Sequence, residues 1–196
     1  MVPGRNIDVS VILPFGDDED VIGIAVQQVA AYLEEQGLGF EILAVDRDSG
    51  DNSHAVLALV RSRHPVLRQA LSILHTPDHA PDQGYAFGVS RARGRVLWLL
   101  EPQAATGALE GFARAHAQVS QGNRDLVVCA DGFTVAHRTR SRPAFDGLLG
   151  AGPRFHQRLA RLGRARGLAV STQQQAGRAP RVWQRWMAAL SHGLSS

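Results

Sequence analysis

Short apolar segments alternate with segments of helical spacing from residue 8 to residue 129, and this alternation constrains the fold most. The helical segments are 22–36, Ser53–Arg63, Gly84–Ala92 and Thr106–Gln121. The strand-like segments are Asp8–Pro14, Phe40–Asp46, Leu71–His75, Val96–Leu100 and Leu126–Cys129. Strands and helices that alternate through short connections are typical of parallel sheets with right-handed crossovers. We therefore predict an α/β fold, with a mostly parallel sheet flanked by helices in a single domain.

The pattern weakens after residue 130. We predict a loop over 132–152, a helix over Phe155–Leu168, a mobile polar segment over 171–180 and a helix over Arg181–Leu194. We accordingly describe residues 1–130 as a ligand-binding α/β core. Residues 131–196 would form a basic C-terminal extension of the same domain.

The composition excludes several classes of function. All 21 basic residues are arginines, so a P-loop and Schiff-base chemistry, which both need a lysine, are excluded. Cys129 is the single cysteine, which excludes an internal disulfide and a cysteine zinc cage. No apolar run is long enough for a transmembrane helix, and residues 1–8 lack the apolar core of a signal peptide. We expect a cytoplasmic protein.

The charge is unevenly distributed. Residues 1–130 hold ten arginines and 16 acidic residues, a net charge of −6, whereas residues 131–196 hold 11 arginines and two aspartates, a net charge of +9. A basic C-terminal part suggests contact with a phosphate group, a membrane surface or nucleic acid. A solvated arginine-rich surface is the alternative interpretation.

The second strand runs directly into a polar turn, VDRDSGDNS, at residues 45–53. Ligands of open α/β sheets bind outside the carboxyl ends of the strands, where this turn lies. A carboxylate there can accept hydrogen bonds from a base or from ribose hydroxyls. No G-x-G-x-x-G follows the first strand, so a dinucleotide site of the Rossmann type is not expected.

This turn resembles the V-D-D-G-S-x-D-x-[S/T] signature of family-2 glycosyltransferases, with Arg47 at the second Asp and Asp48 at the Gly. VSVILPFGDDED, beginning at Val9, is similar to the opening of that family, with Phe15-Gly16 in place of the usual Tyr-Asn. DQGYAFGVSRARGRVLWLLEPQ, from Asp82, is similar to its glycine-rich segment and D-x-D strand. The resemblance covers residues 8–130 and implies a GT-A fold, like that of the dolichyl- and polyprenyl-phosphate sugar synthases.

The resemblance also implies a site. Pro14, Asp46, Ser49 and Asp51 would bind the nucleotide of a nucleoside-diphosphate sugar. Glu101 and Gln103 would stand at the two metal-binding carboxylates, for Mg²⁺ or Mn²⁺. Because Gln103 offers only a neutral amide oxygen, metal affinity should be weak or absent.

Arg47 has two interpretations. Its guanidinium could hold a phosphate and partly replace the metal ion. It could equally pair with Asp48 or Asp51 without a chemical role.

The acceptor side of such a transfer has less support. An inverting transfer to a hydroxyl needs a carboxylate base, and Asp131 and Asp146 do not lie in a recognisable base motif. A phosphate acceptor needs cations instead, which could be supplied by Arg138, Arg140 and Arg142. A surface loop without function is the alternative interpretation for these arginines.

The C-terminal segment places an apolar stripe with two tryptophans, Trp183 and Trp186, beside arginines. Such a face suits a peripheral membrane contact, at the inner face of the membrane, or a protein partner, although packing on the domain itself is the commoner explanation. Two functions therefore remain open: a glycosyltransferase, whose acceptor could be a lipid-linked phosphate, or a catalytically decayed GT-A domain that binds a protein or membrane. Nucleic-acid binding is a third, weaker possibility.

Overall fold

A single mixed sheet of seven strands organises the protein. The computed structural model describes residues 6–76, 81–130, 132–146, 148 and 154–173. The strands are β1 (Val9–Phe15), β2 (Phe40–Asp46), β3 (Leu71–His75), β4 (Val96–Leu99), β5 (Leu126–Cys129), β6 (Phe133–His137) and β7 (Val170–Gln173).

Helices cover both faces of the sheet. They are α1 (Glu19–Glu35), α2 (Ser53–Arg63), α3 (Pro65–Ala70), α4 (Pro81–Arg91), α5 (Ala105–Ser120), α6 (Arg142–Phe145) and α7 (Phe155–Ala165), with a 3-10 turn at Pro102–Ala104. Within the described ranges, no helix combines the length and the apolar character needed to cross a membrane.

The strand order in the sheet is β3-β2-β1-β4-β6-β5-β7. The first four of these are parallel, β6 is antiparallel to both of its neighbours, and β7 is parallel to β5. β1, β2 and β4 therefore end at the same edge, and we call this the carboxyl edge of the sheet. Because β6 runs the other way, its last residue, His137, pairs with Val96 at the opposite edge.

Alternate side chains of each strand enter two separate cores. On one face, Trp98 of β4 stacks on Phe112 of α5 with ring centroids 4.0 Å apart. On the other face, Leu97 and Leu99 pack in a cluster that includes Tyr85 of α4. Parallel strands buried on both faces need near-continuous apolar sequence, which explains the VLWLL of β4.

Two glycines allow α4 to lie against β1. A Cβ atom on Gly88 would stand 2.4 Å from Cγ2 of Ile12, and one on Gly84 would stand 2.8 Å from Cβ of Pro14. Glycine lowers helix propensity, and here the loss is offset by close packing of helix on sheet. Tyr85, next to Gly84, is thereby held directly over the sheet.

A buried carboxylate ties the opposite edge together. Glu41 is 3% exposed and accepts hydrogen bonds from the hydroxyl of Ser10 at 2.6 Å and from the backbone N–H of Arg93 at 2.7 Å. The Arg93 guanidinium donates to its second oxygen, with Nε at 2.8 Å and Nη2 at 2.7 Å. This network fixes the chain that enters β4.

The predicted fold class is confirmed, with β2, β3, β5 and α2 at the predicted bounds. The prediction for the C-terminal part is wrong in two places. Residues 132–152 contain β6 and α6 rather than a loop throughout, and the segment predicted to be mobile from residue 171 begins inside β7. β6 and β7 are short and carry polar residues, so their apolar pattern is too weak to identify from sequence.

Candidate functional site

A cavity of about 290 Å³ opens at the carboxyl edge of the sheet. It lies between the ends of β1 and β4 and the start of α4. Its lining residues are Pro14, Asp17, Asp18, Arg47, Tyr85, Glu101, Pro102 and Gln103. The two predicted strand ends, Pro14–Asp17 and Glu101–Gln103, thus meet in one cavity, as the topology requires.

The loops after β1 and β2 are joined by carboxylates that accept backbone hydrogen bonds. Asp17 accepts from the N–H of Gly50 at 2.7 Å. Asp51 accepts from the N–H of Glu19 at 2.9 Å and from that of Ser53 at 2.8 Å, so one side chain caps the first residues of both α1 and α2. Desolvation acts to raise the pKa of Asp51, but hydrogen bonds from the Ser53 side chain and from the backbone N–H groups of Ser53 and Glu19 outweigh it and lower that pKa. The structure gives Asp51 a capping role, and its nucleotide role stays a prediction.

Asp46 lies at the end of β2 and is 6% exposed. One of its oxygens accepts the N–H of Ser49 at 2.8 Å, and the other lies 4.0 Å from Nδ1 of His75. Asp46 and Glu101 follow strands that are separated by β1, which sets their backbones about 10 Å apart. That span suits two ends of one extended ligand, although Asp46 is not part of the cavity lining.

The backbone supports the motif resemblance at one position. Asp48 has φ of 65°, in the left-handed region that favours glycine. The family signature has glycine at this position. Aspartate is among the few other residues that adopt this conformation readily.

Arg47 extends from the end of β2 into the cavity. Its Cδ lies 3.2 Å from where a Cβ of Gly84 would be, and its Nη2 lies 3.3 Å from where a Cβ of Gly16 would be. Two glycines therefore make room for this side chain. Arg47 and Gly16, two departures from the family pattern, therefore lie close to each other.

The two predicted metal positions lie together, but their chemistry is not that of two carboxylates. Glu101 is exposed, whereas the Gln103 amide N–H₂ donates to Oδ1 of Asp18. The other Asp18 oxygen accepts the N–H of Gly16 at 2.9 Å. Among the described residues no three acidic, histidine or cysteine side chains are grouped to hold a metal ion. The residues therefore do not fit a preformed site for a divalent cation, and the roles predicted for Glu101 and Gln103 stay predictions.

Sequence reasoning missed Tyr85, which lines the cavity, and His156, which packs against the Tyr85 ring. Tyr85 is fully buried, and its ring stacks on Phe155 with centroids 4.4 Å apart. His156 meets the Tyr85 ring edge-on at 5.6 Å, and its Nδ1 lies 2.8 Å from the Thr134 hydroxyl. For Tyr85, the sequence offers one signal, its position between two glycines of a predicted helix. For His156 it offers none, because this residue lies 71 positions further along the chain.

The arginines predicted to hold an acceptor phosphate do not line the cavity at the carboxyl edge. Arg138 follows β6 at the opposite edge, where its Nε donates to the carbonyl of Gly94 at 2.8 Å. Arg140 forms an ion pair with Asp125 at 2.5 Å. Arg138 and Arg142 line a second cavity, beside α4 and α6, that also includes Asp146. The antiparallel direction of β6 places these side chains away from Glu101, so their acceptor role has no geometric support at the first cavity.

Three predicted residues, Asp131, Trp183 and Trp186, lie outside the described part of the chain.

Comparison with solved structures identifies the fold. The chain is similar to S. aureus TarS 1-349, at 12% identity and a TM-score of 0.60, covering 88% of this chain and 59% of that one. It is similar to a mannosyltransferase from Pyrobaculum calidifontis in complex with GDP-Man and Mn²⁺, at 15% identity and 0.66, covering 92% and 61%. It is also similar to M. tuberculosis glucosyl-3-phosphoglycerate synthase in complex with uridine-diphosphate, at 13% identity and 0.64, covering 92% and 79%.

The chain therefore spans about 60% of the length of the first two of these proteins. Neither a protein-family model nor a curated protein matches it by sequence. The fold is that of the GT-A glycosyltransferases, as predicted.

Proposed function

We propose that the protein binds a nucleoside-diphosphate sugar at the carboxyl edge and acts as a glycosyltransferase of the family-2 type. The observation that carries this proposal is the convergence of Asp17, Asp18, Arg47 and Glu101 in one cavity of a GT-A fold. Among the similar structures, one contains GDP-Man and another contains UDP at identities of 15% and 13%.

The donor would span two regions of the edge. The nucleoside would lie over the Asp46–Ser49 turn, where the buried Asp46 carboxylate accepts hydrogen bonds. The sugar would enter the cavity, because a volume of about 290 Å³ suits part of such a ligand rather than all of it. Arg47 lies between the two regions and would hold the diphosphate. A guanidinium binds phosphate oxygens through paired, charge-assisted hydrogen bonds.

Arg47 thereby takes over charge neutralisation that a metal ion supplies elsewhere. The similar mannosyltransferase contains Mn²⁺. In this chain the second metal position is Gln103, whose amide already donates to Asp18. We propose that a divalent cation, if it binds beside Glu101, adds little to the affinity for the nucleotide.

The acceptor is proposed from chemistry alone. In the transfer, the bond from the anomeric carbon to the β-phosphate oxygen breaks, an acceptor oxygen forms the new bond, and the nucleoside diphosphate leaves. Asp17 and Asp18 each accept a backbone N–H group, so an oxygen of each carboxylate is already engaged within the protein. An ionised phosphate, such as that of a lipid-linked acceptor, needs no base.

Calorimetry tests the proposal. UDP, GDP, UDP-glucose and GDP-mannose are titrated into the full chain, with Mn²⁺ and with EDTA. We expect micromolar binding of one nucleotide series that EDTA changes less than threefold. Asp46→Asn and Arg47→Gln should each weaken it tenfold or more, since each removes a charged hydrogen-bonding partner. Asp146→Asn, at the second cavity, is the matched control and should leave binding unchanged.

A second function is favoured by Gln103 and its bond to Asp18: a decayed GT-A domain that binds a protein or a membrane. Absence of heat with all four ligands, with and without Mn²⁺, would reject the glycosyltransferase and support this second function.

A further inference from the structure

The hydroxyl of Tyr85 is a buried polar group whose partner is missing from the described structure. The residue is 0% exposed, and none of the described residues hydrogen-bonds its oxygen. A buried hydroxyl without a partner is costly, typically by about 1–3 kcal/mol, and native proteins seldom keep one without a function. Tyr85 also lines the cavity at the carboxyl edge.

Two charged residues of that cavity act on the Tyr85 hydroxyl. Burial and the charge of Glu101 raise the pKa of Tyr85 well above its ordinary value, while Arg47 acts in the opposite direction. Both charged residues line the same cavity as Tyr85. The phenol is neutral at physiological pH, and it can both donate and accept one hydrogen bond.

We propose that the Tyr85 hydroxyl hydrogen-bonds a hydroxyl group on the sugar of the donor and thereby selects which sugar is accepted. This inference rests on the proposed function, since it assumes a nucleoside-diphosphate sugar at the same site.

A sugar hydroxyl fits better than a phosphate at this position. The cavity presents the carboxylates of Asp17, Asp18 and Glu101 against the single guanidinium of Arg47. Carboxylates repel a phosphate but accept hydrogen bonds from hydroxyl groups. A neutral sugar can donate to a carboxylate and share a hydrogen bond with Tyr85.

The Tyr85 ring is fixed before any ligand binds. Phe155 stacks on it with an interplanar angle of 24°, and His156 meets it edge-on at 66°. The neighbouring Gly84 lies against Pro14, which prevents the start of α4 from shifting toward the sheet. A hydroxyl held in one position discriminates between sugars, because a sugar that lacks the matching hydroxyl leaves the buried group unpaired.

The test is Tyr85→Phe, with Tyr32→Phe as the matched control. The chain has two tyrosines, and Tyr32 is also buried but lies on α1, where it contacts the rings of Trp98 and Phe112. Calorimetry compares the nucleoside diphosphate alone with its sugar conjugate. We expect Tyr85→Phe to weaken the conjugate about tenfold and the free nucleotide less than twofold, and Tyr32→Phe to change neither.

Two further measurements separate this role from a structural one. The unfolding temperature of Tyr85→Phe should equal or exceed that of the unaltered chain, because an unpaired buried hydroxyl is removed. A series of deoxy-sugar donors should contain one whose affinity for the unaltered chain is about tenfold lower but whose affinity for Tyr85→Phe matches that of the complete donor.

Each contrary outcome has a distinct meaning. If the unaltered chain binds no nucleotide, the proposed function fails. If the nucleotide binds but Tyr85→Phe leaves the conjugate unaffected, or weakens both ligands equally, only the role of Tyr85 is refuted. An unfolding temperature below that of the unaltered chain would show that the hydroxyl has a structural partner, and would also refute it.

Discussion

His156 should make the protein sensitive to mild acid. Burial lowers the pKa of His156 from 6.5 to about 4, because the charged ring would lose its hydration. Between these values the unfolded chain binds a proton that the folded chain does not, so stability falls as the pH falls from about 6.5 to about 4. The gap of about 2.5 pH units, at 1.36 kcal/mol per unit, corresponds to about 3 kcal/mol.

Other groups titrate over the same range, so the test is a difference between two chains. His156→Asn keeps an amide near the Thr134 hydroxyl, which lies 2.8 Å from Nδ1 of His156. Urea unfolding is measured from pH 4 to pH 7.5 for both proteins. We expect the free energy of unfolding of the unaltered chain, minus that of His156→Asn, to increase by about 3 kcal/mol from pH 4 to pH 7.5.

The same substitution at an exposed histidine, His54→Asn, is the control. A difference curve for His156→Asn that is flat, or no steeper than the curve for His54→Asn, would show that burial does not suppress the charge of His156. The reasoning from desolvation would then be refuted.

Two further predictions concern stability, measured by urea unfolding at pH 7. Glu41→Gln should lower the free energy of unfolding by about 2 kcal/mol, because it replaces a buried charge that accepts two hydrogen bonds from the Arg93 guanidinium. A decrease of about 0.5 kcal/mol or less, which is the scatter of surface substitutions, would contradict this. Gly88→Ala should cost about 1–3 kcal/mol despite the better helix propensity of alanine, because its Cβ would stand 2.4 Å from Ile12. Gly107→Ala, where the added Cβ contacts nothing, should instead be neutral or stabilising by up to about 1 kcal/mol, and equal effects at both glycines would refute the packing argument.

Sequence periodicity predicted the strands of residues 8–129, from the seven-residue β2 to the four-residue β5. β2 and α2 match the predicted bounds because each is a continuous pattern with clear ends. β6 was not predicted, because the buried Thr134 and the terminal His137 interrupt the apolar pattern of its sequence, FTVAH. Its burial arises from insertion between β4 and β5, which is a long-range pairing that local pattern does not encode.

The sequence predicted which strand ends meet at the candidate site, because topology determines that. It did not predict the hydrogen-bond partners of individual side chains, because these depend on side-chain direction. Pro14 and Glu101 meet because parallel strands end at one edge, as the alternation predicts. Asp51 was assigned to the ligand by its place in a motif, yet both of its oxygens accept helix N–H groups. Arg138, Arg140 and Arg142 were assigned because a phosphate acceptor needs cations and their loop follows the fifth predicted strand. The antiparallel direction of β6 places them at the opposite edge of the sheet.

The closeness of Gly16 to the Arg47 guanidinium couples these two positions. A Cβ added at position 16 would stand 3.3 Å from Nη2 of Arg47, so the guanidinium would have to shift by a few tenths of an ångström. Substitutions at positions 16 and 47 should therefore have non-additive effects on whatever this part of the cavity binds.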